Sequence, residues 1–163
     1  MGEITSFRGN YAFLSNFWEC DVEYDGYTFR NSEAAYQADK TESVEEKFRF
    51  ATMKPNAAKK AGRVVKMRDG FEEEKNKIMQ RVVVCKFMQN PSLMSKLLAT
   101  GNARLVEGNT WHDNYWGVCT CGRKSCSGGK NVLGKILMQV RDTYIKDKSI
   151  LDSMNEEYRY HNE

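Results

Sequence analysis

Asp25-Gly26 lies between two short runs of alternating β-formers, Val22-Glu23-Tyr24 and Tyr27-Thr28-Phe29. A two-residue connection of this kind needs positive φ at both turn positions, and Asp-Gly meets that need at little steric cost. The pair therefore predicts a tight antiparallel hairpin early in the chain. Most of the chain beyond Phe29 has helical periodicity. The expected class is α+β: a compact, mostly helical single domain with a small antiparallel sheet.

The helices announce themselves by caps and spacing. Asn31 or Ser32 caps a helix running to about Lys40. Glu45 to Thr52 forms the next, and Lys54-Pro55 opens a third that ends near Gly62. Glu72 to Met88 reads as a long helix with acidic residues in its first turn, where they complement the dipole. The β-branched run Val82-Val83-Val84 works against it locally. Asn90-Pro91 begins another helix, closed by Gly101. Val132, Ile136, Val140 and Tyr144 recur at i+4, the signature of an amphipathic C-terminal helix. Short strands are expected at Ile4 to Arg8 and Ala103 to Glu107, with loops at 10–18 and 108–130. The 163 residues fit one domain, taken as 1–150, followed by a polar C-terminal extension at 151–163 that is either a helical continuation or a frayed tail.

Residue counts limit the chemistry. There are 2 His, His112 and His161, so a His-based triad could use only His112 unless the tail folds back. Five cysteines, an odd number, stand at 20, 85, 119, 121 and 126. No apolar leader precedes them, and no apolar run approaches the roughly 20 residues needed to span a bilayer. A reduced, cytoplasmic setting and no membrane partner are expected. Gly2 and Ser6 fit a loose myristoylation pattern, but an ordinary start is the preferred reading. A formal net charge of +3 is too small to argue by itself for nucleic-acid binding.

Four segments could carry chemistry. At about 100° per residue, Glu33, Gln37 and Lys40 form one polar stripe bordered by Tyr36, opposite Ala34, Ala35 and Ala38. From spacing alone a solvated face is the stronger reading. Glu107, Asp113 and Trp116-Gly117 combine a strand-end carboxylate with an aromatic, Gly-containing loop. The bland counterpart is a polar turn region built on Asn102, Asn109 and Asn114. Gly128-Gly129-Lys130-Asn131 precedes a helix and could seat an anion, or simply cap the helix. Cys119, Cys121 and Cys126, with His112 upstream, could complete a zinc site. Their spacing is not the paired C-x2-C knuckle, so free thiols or a reversible disulfide are preferred and no metal or other cofactor is expected.

Taken together, the motifs are more specific. Phe7-Arg8-Gly9, Phe13-Leu14-Ser15-Asn16-Phe17-Trp18, Gly26 to Phe29, Ser32 to Lys40, Lys47-Phe48, Ala58 to Arg63, Met79, Lys86-Phe87, Leu97 to Gly101, Leu105-Val106-Glu107, Asp113, Tyr115-Trp116-Gly117, Asn131 to Gly134, Leu137-Met138 and Arg141 occur in one order. In that order the chain resembles the NADAR (YbiA-like) family over about residues 5 to 145. The resemblance implies an N-glycosidase acting on a ribosyl compound. The first choice is removal of ADP-ribose from a guanine base, with the substrate either a small molecule or a modified base in DNA or RNA. A related phosphoribosyl or NAD-derived metabolite, including a riboflavin-pathway intermediate, is the alternative. A further alternative is a non-catalytic module that binds ADP-ribose or a nucleotide as a sponge or sensor. A nucleic-acid adaptor using Arg123 and Lys124 is a third option.

The same resemblance implies a site. Glu33, Lys40, Glu107 and Asp113 would be catalytic. Arg8, Ser15, Asn16, Phe17, Tyr36, Gln37, Arg63, Trp116, Gly117, Asn131 and Gly134 would bind substrate. Cleavage of an N-glycosidic bond needs negative charge near C1, a base for water and a proton for the departing nitrogen. Glu33 or Asp113 would supply the first, Glu107 the acid or base. Lys40 would grip a phosphate, neutralise Glu33, or attack C1 and form a Schiff base. Two departures stand out. Gly70-Phe71 follows Asp69 where the family often has Trp, and a cysteine-rich segment follows Gly117 where it usually has a short Gly-rich loop.

Overall fold

The hairpin forms as the Asp-Gly pair requires. β2 (Glu19–Tyr24) pairs antiparallel with β3 (Tyr27–Asn31), and Tyr24 faces Tyr27 across the turn. Asp25 and Gly26 have φ of 53° and 81°. The computed structural model describes residues 2–162; Met1 and Glu163, the two ends of the expected domain and extension, lie outside the described residues.

Besides the hairpin, the described residues form two parallel pairs. β1 (Glu3–Ile4) pairs with β4 (Arg104–Leu105), and β5 (Gly108–Asn109) with β6 (Val118–Cys119). In place of one small antiparallel sheet, the described strands form three separate two-stranded sheets, of which only the hairpin is antiparallel. Both expected strands, at 4–8 and 103–107, shorten to two residues, because each has a partner over that length only. The loop expected at 10–18 begins as a 3-10 helix, Gly9–Leu14, that buries Phe13 and Leu14.

Among the described residues, six α-helices complete the fold: α1 (Ser32–Ala38), α2 (Val44–Ala51), α3 (Pro55–Ala61), α4 (Phe71–Gln89), α5 (Pro91–Ala99) and α6 (Val132–Asn162). Local chemistry explains their starts. The Asn31 side chain accepts the Ala34 N–H at 2.8 Å, Ser43 caps α2 in the same way, and proline occupies the first turn of α3 and α5. α4 holds helical geometry through Val82-Val83-Val84, since Val82 and Val83 are fully buried and packing outweighs propensity. α6 continues unbroken past residue 150.

α1 is the central element, buried at every position. Ala34, Ala35 and Ala38 let it lie close to its neighbours. The core around it holds Phe29, Phe50, Phe71, Ile78, Met79, Phe87, Leu105 and Leu133. Phe71 packs 5.5 Å from the Tyr36 ring, so the residue standing near the family's usual Trp is a core residue here. No helix among the described residues is long and apolar enough to cross a membrane.

Candidate active site

One cavity of about 170 Å³ opens where α1, the N-terminal segment and the 107–116 segment meet. Glu33, Glu107 and Asp113 all line it, with Arg8, Ser15, Asn16, Phe17, Tyr36, Gln37 and Trp116. Chain segments more than 70 residues apart thus place three carboxyl groups on one small volume.

Glu33 stands in the first turn of α1, and its N–H donates to Asn16 O at 3.1 Å. That bond docks the N-terminal segment against the helix. Gln37, one turn on, donates Nε2–H to Glu33 Oε1 at 2.8 Å, while Gln37 Oε1 is buried without a partner among the described residues. Burial pushes the Glu33 carboxyl up from its ordinary value, opposed by the Gln37 bond and by Lys59 and Lys40. Asn16 is itself buried, its Nδ2 3.2 Å from Met79 Sδ. The segment before it is held by Lys86. This fully buried ammonium donates to Phe13 O at 2.6 Å and Ser15 O at 2.9 Å, and burial pushes its pKa down to about 8.

Glu107 follows β4. Its backbone N–H donates to Asn131 Oδ1 at 3.0 Å, and Asn131 Nδ2 donates to Leu105 O at 2.8 Å. Gly117 and Gly134 press on the same strand: a Cβ on Gly117 would lie 2.1 Å from Glu107 O, and one on Gly134 would lie 2.2 Å from Leu105 O. Burial first, then the nearby Asp113 and Glu33, push the Glu107 carboxyl up to about 7, with Lys59 opposing. A carboxyl poised there can give a proton at neutral pH and take it back.

Asp113 is aimed by its own turn. Its Oδ1 accepts the N–H groups of Tyr115 at 3.0 Å and Trp116 at 2.9 Å. Asn109, 3% exposed, clamps the Asp113 backbone from both sides, its Oδ1 accepting Asp113 N–H and its Nδ2 donating to Asp113 O. Trp116 stands edge-on to both Tyr36 and Tyr115, at 5.5 and 5.0 Å.

Not every residue expected at the site lines the cavity. α1 ends at Ala38 and the chain tightens, with Lys40 N–H reaching Gln37 O three residues back, and Lys40 is not among the residues lining the cavity. Its ammonium donates to Gly62 O at 3.0 Å and sits over the rings of Phe71 and Tyr36. Desolvation lowers its pKa, and Glu33 opposes that. Arg63 also lies outside the lining. Asn131, Gly117 and Gly134 stand behind the wall, where they position Glu107. Five lining residues were not among those expected: Phe7, Lys59, Met79, Gly108 and Trp111. Lys59 lies 5.6 Å from the centre of the Phe17 ring and 5.7 Å from that of Trp111, which is 51% exposed. Ala57-Ala58-Lys59-Lys60 gives no signal as to which lysine faces inward.

Comparison with known proteins identifies the family and the fold. The NADAR domain profile matches residues 6–144. The chain is 33% identical over 144 residues to the Escherichia coli protein named N-glycosidase YbiA, covering 85% of each. It is 33% identical over 138 residues to a riboflavin biosynthesis protein of Vibrio vulnificus, covering 82% of this chain and 35% of that one. The solution NMR structure of E. coli YbiA superposes with a TM-score of 0.76 at 31% identity, over 90% of this chain and 85% of that one.

Proposed function

The chain belongs to the NADAR family and is a hydrolase of N-glycosyl bonds; from that premise we propose that it cleaves the bond between a base and the C1 of a phosphorylated ribosyl group, with an ADP-ribosylated guanine as the first-choice substrate. The observation that carries this reading is the convergence of Glu33, Glu107 and Asp113 on one aromatic-walled cavity with Arg8 and Lys59 at its lining.

The roles follow from the environments. Glu107, with a pKa near 7, enters protonated and passes its proton to the departing base nitrogen as the C1–N pair leaves with that nitrogen. Positive charge then spreads over C1 and the ring oxygen. The Asp113 carboxylate, held by two backbone N–H groups, faces that charge. Glu33 and Gln37 orient a water on the sugar. As the water oxygen bonds to C1, its proton returns to the Glu107 carboxylate and restores the acid. Trp116 and Trp111 offer flat faces for the base. Arg8 and Lys59 take the phosphate.

The cavity is small beside the roughly 300–1,000 Å³ usual for a whole drug-sized ligand. It suits one ribosyl unit and part of a base. The rest of an ADP-ribosyl group, or of a nucleic acid bearing it, would lie along the exposed Trp111 rim. A ribosylaminopyrimidine phosphate is the second reading. It is favoured by the likeness to the Vibrio vulnificus protein and by this small volume. The free thiols at all five cysteines fit a cytoplasmic setting.

A substrate panel decides between these readings. ADP-ribosylated guanine oligonucleotide, NAD and a ribosylaminopyrimidine phosphate are incubated with the wild type and with Glu107→Gln, and released base is measured by mass spectrometry. Release from one substrate, reduced at least about 100-fold in Glu107→Gln, is expected. Tight binding with all three intact would replace the enzyme reading by that of a binding module.

A further inference from the structure

The 112–126 loop carries a cluster that the glycosidase chemistry does not use. The ligand-type atoms of His112, Cys119, Cys121 and Cys126 all lie within 4.8 Å of one another. His112 Nδ1 stands 3.7 Å from Cys119 Sγ and 3.5 Å from Cys126 Sγ. A tetrahedral ion with Zn–N near 2.0–2.1 Å and Zn–S near 2.3 Å puts nitrogen and sulfur about 3.6 Å apart. The observed separations match that figure. Thiols are weak donors and weak acceptors, so hydrogen bonding among them gives little reason to gather three around an imidazole. All three are free, and an odd number of thiols cannot be consumed by pairing within the loop.

The backbone is shaped to make the cluster. His112 has φ of 70°, an uncommon value for a residue with a side chain. Gly122, at φ 81°, turns the chain directly after Cys121, and Cys126 N–H donates to Arg123 O at 2.9 Å to bring the third thiol back. Asn114 adds an outer contact, its Nδ2 donating to Cys126 Sγ at 3.1 Å while its Oδ1 accepts Cys119 N–H at 2.9 Å. Such second contacts orient ligating sulfurs and temper their charge.

We propose that His112 Nδ1 and the sulfurs of Cys119, Cys121 and Cys126 bind one zinc ion, a closed structural site that clips the loop carrying Asp113 against the cavity. Three thiols and one imidazole select zinc among common divalent ions and leave no open position for catalysis. On binding, the three thiols release their protons to solvent and the imidazole ligates as the neutral ring. The site then carries one net negative charge, beside Arg123 and Lys124 on the same loop. His112 lies between Trp111 and Asp113, both of which line the cavity, so fixing its ring fixes the span between them.

Metal content tests this without any substrate. The protein is purified under reducing, chelator-free conditions, equilibrated with zinc, desalted and analysed by elemental mass spectrometry. About one zinc per chain is expected in the wild type, in Cys20→Ser and in Cys85→Ser, with less than about a tenth in Cys119→Ser/Cys126→Ser. Cobalt in place of zinc should give intense thiolate-to-metal charge-transfer and four-coordinate visible bands. Should the double variant fold poorly, alkylation of the wild type supplies the same answer: zinc should slow modification of Cys119, Cys121 and Cys126, and a chelator should restore it. A wild type holding less than about a tenth of an equivalent of zinc overturns the proposal, as does a disulfide within the loop or alkylation indifferent to zinc.

Discussion

Asn131 grips the end of β4 and the link to β5 with both ends of its amide, accepting Glu107 N–H at 3.0 Å and donating to Leu105 O at 2.8 Å. Asn131 is 3% exposed and has φ of 52°, a left-handed conformation that Asn tolerates better than most side chains. The residue that opens the last helix therefore determines where the proposed general acid stands.

Replacing Asn131 by Gly keeps the backbone conformation and removes only the two bonds. Each buried group left unpaired costs about 1–3 kcal/mol, so a loss of about 2–6 kcal/mol is expected in urea denaturation. Activity should fall through kcat, because Glu107 is displaced while the phosphate contacts remain. Asn131→Ala adds left-handed strain and should be less stable still. Equal stability of Asn131→Gly and wild type would mean that the two bonds do not hold the strand.

Glu107 makes both activity and stability pH-dependent. Its carboxyl sits at about 7 in the fold against an ordinary 4.5. Between those values the native state binds more protons than the unfolded chain, so stability falls as pH rises from about 4.5 to 7. The shift corresponds to at most about 3 kcal/mol. Glu33, also raised by burial, acts in the same direction. Denaturation at pH 5 and pH 8 should therefore show a drop that is clearly smaller in Glu107→Gln. As the general acid, Glu107 must enter protonated, so kcat/KM should decline above about pH 7. The weak residual activity of Glu107→Gln should lack that decline.

Local rules made the scaffold legible, and the limits of those rules mark what was missed. Asp25-Gly26, Asn31 and the prolines at 55 and 91 act within a few residues, and each produced the turn or helix start it implies. The stripe of Glu33 and Gln37 was visible from helical spacing. Lys40 follows the end of α1 by two residues and does not line the cavity, though its charge still acts on Glu33. Asn109 reads as an ordinary polar turn residue in sequence; its role is visible only once both amide atoms are seen on the Asp113 backbone. Lys86 did leave a trace, as a lysine inside the buried stripe of Val82, Val83 and Phe87. What it holds is a segment more than 70 residues earlier, and no periodicity encodes that.

Lys59 is expected to act on binding and on acidity together. It lines the cavity and lowers the pKa of both Glu33 and Glu107. Lys59→Met should raise KM for a phosphorylated substrate about 10-fold, equivalent to about 1.4 kcal/mol, with a much smaller change in kcat at low pH. The decline of kcat/KM assigned to Glu107 should move to higher pH, since an opposing positive charge is gone. A raised KM with an unmoved pH profile would leave Lys59 as a phosphate contact alone.

Lys86 offers the sharpest separation of scaffold from chemistry. Its ammonium is fully buried, donates to two carbonyls and does not itself line the cavity. Lys86→Met preserves much of the volume but strands Phe13 O and Ser15 O, at about 1–3 kcal/mol each where water cannot enter. Burial holds the native pKa at about 8, below the ordinary 10.5. Between pH 8 and 10.5 the unfolded chain binds more protons than the native state, so this residue adds stability as pH rises through that window. The wild type should gain on Lys86→Met across it, as read from paired denaturation curves. Displacement of Asn16 and Phe17 should also raise KM, while the pH dependence assigned to Glu107 stays in place. A Lys86→Met protein as stable as wild type at pH 7, with unchanged KM, would show that the N-terminal wall of the cavity holds without the buried amine.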